Sequence, residues 1–168
     1  VRPHAEKAVK YLLASQHPDN GGWKYRPISK LTVGDLSVTG WALMALHTAR
    51  MAGIEIPQDD FVRASGFLDS VQVKGMSRYK YEPTSPDSKA SPALTAEALL
   101  CRQWLAWPRS FPEMVQGVKY VTADENRPAW GGGRRNVYAW YYTSQMLHNI
   151  GGPEWKKWNT EVRDAIVK

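Results

Sequence analysis

Apolar positions along this chain keep two different rhythms. In the opening segment Ala5, Ala8, Val9 and Leu12 fall three and four residues apart, while Glu6, Lys7 and Lys10 take the other side. That spacing predicts an amphipathic helix with one wet face. Further on, Leu36, Val38, Trp41, Ala42, Leu43, Met44, Ala45 and Leu46 cover nearly the whole circumference of a helix, as do Ala93, Leu94, Ala96, Ala98, Leu99, Leu100 and Cys101. A helix that is apolar all round must be buried on all sides. The alternation predicts an all-α chain in which amphipathic outer helices wrap dry inner ones.

The pattern also recurs. Lys7, Ala8, Tyr11, Leu12 and Gln16 are echoed 56 positions on by Arg63, Ala64, Phe67, Leu68 and Gln72, and faintly by Gly117, Tyr120 and Val121. Each copy leads to a turn ending in an aromatic residue: Trp23 after Gly21-Gly22, Tyr79 after Gly75, and Trp130 after Pro128-Ala129. A second helix follows each turn, over about Leu36–Met51, 92–105 and 137–149. Their starts carry suitable chemistry, because Asp35, Ser91 and Asn136 can each accept an orphan backbone N–H. Pro92 sits at a first helical position, where its missing N–H costs nothing. A last stretch, 155–168, reads as another outer helix, with Trp155, Trp158, Val162 and Ile166 at three- and four-residue steps. The expectation is one repeat domain over 1–168, of three hairpins plus one outer helix. Repeat units hide their apolar faces against neighbours. Missing repeats of a longer chain, a second subunit, or a ring closing at low repeat number should therefore complete it. A start at Val1 fits a trimmed or processed piece, from which a targeting segment could have been removed.

Composition narrows the picture. The 168 residues are 43% hydrophobic with eight Trp and eight Tyr, so the chain is neither disordered nor of low complexity. No run approaches the roughly 18 apolar residues of a membrane span. Cys101 is the only cysteine, which excludes an intrachain disulfide and a multi-cysteine zinc site. The formal charge of +6 is dispersed and comes with no nucleic-acid motif, so it reads as solvated surface and no nucleic-acid partner is expected.

The repeat resembles the QW motif of the squalene and oxidosqualene cyclase superfamily: a basic residue, Gly or Ala, an aromatic, an aliphatic, a Gln, then Gly-x-Trp. Lys7, Ala8, Tyr11, Leu12, Gln16, Gly21 and Trp23 fill it completely. The resemblance implies an α/α toroid, a fold shared with protein prenyltransferases, in which the Gln bonds helix ends and the Trp stacks on a neighbouring repeat. It further implies, for a cyclase, an aspartic acid at an inner-helix start that protonates the substrate. Here Ser91-Pro92-Ala93-Leu94-Thr95-Ala96-Glu97 keeps Thr-Ala-Glu but puts Ala93 at the acid position, and Asp35-Leu36-Ser37-Val38 keeps only the first Asp of the longer pattern. Alanine has no proton to give. Prenyltransferases hold zinc with Asp, Cys and His. Cys101, mid-helix on an apolar stretch, reads as an inert buried thiol, with His148 a weak conceivable partner. No metal or cofactor is implied.

By the same resemblance, ligands meet the amino ends of the inner helices. Asp35 and Glu97 are the candidate acids, although Asp35 also suits a helix cap and Glu97 an internal pairing, for example with Arg102. Candidate ligand-binding residues are Ser37, Thr39, Thr95, Asn136, Tyr138, Tyr141 and Tyr142, with Arg134 and Arg135 after a glycine run. The tyrosines offer aromatic faces to an isoprenoid, a sugar ring or a cation, or else fill the core. The two arginines could meet a phosphate at a helix start, or lie on an exposed turn. Asp59-Asp60 reads as a cap of the second outer helix. Three functions follow as expectations: a non-cyclising toroid domain binding a hydrophobic or isoprenoid-like ligand, or a partner, through an aromatic-lined cavity; an enzyme on an isoprenoid or lipid with Glu97 or Asp35 as acid; and a glycan-binding or glycan-processing toroid.

Overall fold

The computed structural model describes residues 1–26, 33–131 and 135–167. Among these residues there are seven α-helices and no strand: α1 (Arg2–Ala14), α2 (Leu36–Met51), α3 (Gln58–Val71), α4 (Pro92–Trp104), α5 (Pro112–Val121), α6 (Val137–Ile150) and α7 (Gly152–Val167), with a 3-10 turn at Asp124–Asn126. None is long and apolar enough to cross a membrane. The starts of α2, α4 and α6 follow the cap chemistry. Asp35 accepts from Val38 N–H, Ser91 from Leu94 N–H and Asn136 from Ala139 N–H, at 2.9, 3.2 and 3.0 Å. The chain forms two compact units, Val1–Gln72 with Lys80–Lys89, and Val73–Tyr79 with Ala90–Lys168.

In the first unit, the turn after α1 holds the helices together. His17 Nδ1 accepts from the N–H groups of Asp19 and Asn20, and Asn20 Oδ1 accepts from Gly22 N–H. Gly21 has φ +74°, and a Cβ there would lie 2.0 Å from the Arg63 carbonyl oxygen; one on Gly22 would lie 2.6 Å from the Phe67 ring. The turn is thus pressed against α3, an approach only glycine permits. Gln16 reinforces it: its amide N–H donates to the carbonyls of Gly21 and Asp60, and its amide oxygen accepts from the Arg63 guanidinium. Trp23, 3% exposed, then ties α1 to α2. Its indole N–H donates to Leu12 O at 2.8 Å, its backbone N–H to Thr39 Oγ1 at 2.9 Å, and its carbonyl accepts from Asp35 N–H.

In the second unit the same clip recurs 56 positions on. Tyr79 N–H donates to Thr95 Oγ1 at 3.1 Å, and Tyr79 O accepts from Ser91 N–H. α4 packs against α5 and α6. Gln103 bridges α4 and α6, donating to Met146 O and accepting from Asn149. α7 is fixed by Trp158 Nε1 donating to Ser144 Oγ and by Arg127 paired with Glu161 at 2.6 Å.

The structure corrects two expectations. α4 is buried continuously from Thr95 to Arg102, but α2 is not dry all round, because Trp41, Ala45 and Thr48 form an exposed stripe at helical spacing. The Asp59-Asp60 pair does not cap α3, whose N-cap is Pro57 with no side-chain bond. Asp60 is buried and pairs with Arg63 one turn on, and that pairing takes its carboxylate away from the helix end.

Candidate functional site

Among the described residues, most of the expected site residues gather in two clusters, one per unit. In the first unit, Asp35 is fully buried at the start of α2. Its Oδ1 accepts from Val38 N–H and from the Ser37 hydroxyl at 3.1 Å, and its Oδ2 lies 3.7 Å from Lys24 Nζ. Lys24 also reaches Glu82 at 3.1 Å. Burial pulls the Lys24 ammonium pKa down, but the hydrogen bond to Glu82 and the charges of Glu82 and Asp35 outweigh it and leave the pKa raised. Asp35 thus accepts for a helix end and faces an ammonium, and the Ser37 hydroxyl is bonded to it. The Thr39 hydroxyl is taken by Trp23 N–H, as Thr95 is by Tyr79 N–H in the other unit. Both threonines are fully buried, so their hydroxyls serve the backbone.

The second cluster gathers on α4 and α6. Glu97, fully buried, accepts from the Tyr138 hydroxyl at 2.9 Å. Tyr142 stands edge-on to Tyr138 and Tyr141, with ring centroids 4.9 and 5.1 Å away. Burial first, then the negative charge of Glu97 and the neighbouring Tyr138, push the Tyr142 phenol well above its ordinary range. Tyr142 is buried, whereas Tyr138 and Tyr141 remain 39% and 45% exposed. Cys101, fully buried beside this group, has its thiol pKa pushed well up by burial and by Glu97, with Arg102 opposing. Arg102 is itself buried, its guanidinium 4.5 Å from the Trp107 ring centre and its Nε 3.4 Å from the Tyr79 hydroxyl. Ala93, in the first turn of α4, offers only a methyl group.

The other expected residues have separate roles. Asn136 caps α6. Arg135 rests on the Trp130 ring at 5.3 Å, and Arg134 lies outside the described residues. His148 stands edge-on to Trp155, and among the described residues no three His, Cys, Asp or Glu side chains gather as a metal site would need.

One feature escaped the sequence reading. Tyr11, Leu12, Trp23, Tyr25, Val38 and Trp41 line an open groove of about 230 Å³ in the first unit. Tyr11, Tyr25 and Trp41 are 60%, 78% and 48% exposed there. Exposed rings around a groove mark recognition surfaces more often than chance. The available signal was the pair Tyr11 and Trp41, aromatic residues that the helical period places on two successive helices. No family model, no curated protein and no solved structure matches this chain.

Proposed function

We propose that this chain is a segment of an α/α toroid of squalene-cyclase-like hairpins that does not cyclise, and that it acts as a binding module through the aromatic groove between α1 and α2. The observation that carries the reading is the state of the acids. Ala93 occupies the acid position of the resembled pattern, and the two candidate carboxylates already serve the protein, Asp35 as a cap and Glu97 as acceptor of the Tyr138 hydroxyl. Protonating an alkene or epoxide requires a carboxylic acid aimed at the substrate. The rings of Tyr11, Tyr25 and Trp41 offer instead faces for an apolar or stacking partner. A second reading rests on Glu97, whose carboxylate beside Tyr138 and Tyr142 could act as an acid while the rings stabilise positive charge.

Incubation with squalene and oxidosqualene, followed by product extraction, separates the two. The expected result is recovery of unreacted substrate from both the native chain and Glu97→Gln. Cyclised product that disappears in Glu97→Gln would establish the enzyme reading. Titration with isoprenoid diphosphates and oligosaccharides, following tryptophan emission in the native chain and Trp41→Ala, tests whether the groove takes an isoprenoid or a sugar.

A further inference from the structure

We propose that the cavity between the turn at 73–79 and α5, in the second unit, is a binding site for a phosphate group, with the Arg78 guanidinium, the Lys119 ammonium and the Gln116 amide as its donors. The groove of α1 and α2 belongs to the other unit and has no part in it.

A turn meets the following amphipathic helix in both units, but with different chemistry. In the first, Gly21 and Gly22 press against Arg63 and Phe67, and Gln16 fills the junction by bonding Gly21, Asp60 and Arg63. The positions 56 further on are Ser77 and Arg78. A turn without those glycines cannot approach its helix as closely. A cavity of about 370 Å³ opens there, with Ser77, Arg78, Gln116, Lys119, Tyr120 and Glu125 in its lining. That volume is within the usual range of small-molecule sites.

The lining is charged unevenly, with the two cations Arg78 and Lys119 against the one carboxylate of Glu125. The turn holds Arg78 in place, because Val73 N–H donates to Arg78 O at 2.8 Å and Met76 N–H to Val73 O at 3.0 Å. The guanidinium lies 4.2 Å from the centre of the Tyr120 ring. A ring steadies a guanidinium without consuming all its N–H donors, so the group is positioned and still able to bond an oxyanion. Gln116 and Lys119 stand three residues apart on α5, which sets them on one face, and both are exposed. Ser77 gives an independent sign. It is 4% exposed, and among the described residues its hydroxyl has no hydrogen-bond partner. A buried hydroxyl in that state calls for a partner that the chain does not supply. Two cations, an amide and a hydroxyl offer more donors than a carboxylate can use, and suit the additional oxygens and higher charge of a phosphate. Glu125 works against the anion from the same lining.

The full chain is titrated with inorganic phosphate and with phenyl phosphate in a phosphate-free buffer, following amide NMR shifts, with benzoate as the carboxylate of matching ring. Saturable shifts centred on residues 75–78 and 116–120 are expected. Binding should weaken about tenfold in Arg78→Gln and in Lys119→Gln, each of which removes one charged donor. It should tighten in Glu125→Gln, where a repelling charge is lost. Phenyl phosphate bound more tightly than inorganic phosphate assigns the site to a phosphate monoester, and equal affinity assigns it to the free ion. Benzoate bound as tightly as phenyl phosphate, shifts centred instead on the residues before α6, or affinity that both cation variants leave unchanged would overturn the proposal. Should the cation variants fail to fold, Glu125→Gln decides alone, since unchanged affinity there means that no anion sits beside it.

Discussion

A single hydroxyl does comparable work at Thr39 and Thr95, and neither residue is isosterically replaceable. Each accepts the N–H of the aromatic residue sixteen positions earlier in a fully buried setting. Thr39→Val and Thr95→Val keep the shape and orphan that N–H, so each is expected to cost about 1–3 kcal/mol in urea denaturation. Substitution of a ligand-facing threonine would leave the midpoint within about 0.5 kcal/mol of native. At this scale the sequence was partly legible. The three caps could be read because a cap bonds within three residues of itself, and local geometry determines it. The threonine acceptors could not, because their partners arrive from the previous turn. Glu97 was recognisable as an oddity in an apolar helix, but its partner Tyr138 lies on another helix and no spacing announces it.

Among elements, α1 and α3 share a sequence pattern and differ in burial. α1 has Val9 alone fully buried, while α3 buries Asp60, Phe61, Ala64, Phe67, Leu68 and Val71. Backbone amides open more readily where few apolar contacts must be broken. In the native chain α1 is therefore expected to exchange its amide hydrogens at least tenfold faster than α3 by mass spectrometry; equal protection would contradict this account of burial. The same contrast explains the misreading of α2. Composition made α2 and α4 look alike, and the period placed both helices to within a residue or two, but it could not say which faces find a neighbour. α4 is covered on all sides, whereas α2 keeps the Trp41 stripe in solvent.

For the molecule as a whole, the buried acids on α4 and α6 set a pH response. The Cys101 thiol has its pKa raised in the folded state, chiefly by burial, relative to an unfolded value near 8.5. Its contribution to stability is therefore complete below about pH 8.5 and is lost above it, because the unfolded chain releases a proton that the folded chain keeps. The slope approaches about 1.4 kcal/mol per pH unit from this one group until the folded thiol ionises. Tyr142 adds a loss of the same sign above its ordinary value near 10. Denaturation from pH 7 to 10 should show a flat region and then a decline, and Cys101→Ala should flatten the decline below pH 10 even if its baseline stability is lower. A thiol reagent at pH 7.5 should modify Cys101 only as fast as the chain unfolds. One further property follows from the Trp23–Thr39 and Tyr79–Thr95 clips, each of which closes a span of sixteen residues. Closing so short a loop costs little entropy, and contacts near in sequence form first. Each clip can therefore close as the helix that carries its threonine begins to form, ahead of contacts more distant in sequence. The longer Gln16–Arg63 link then captures α3 on arrival. Within the first unit, assembly can accordingly begin at the amino-terminal helices as the chain leaves the ribosome.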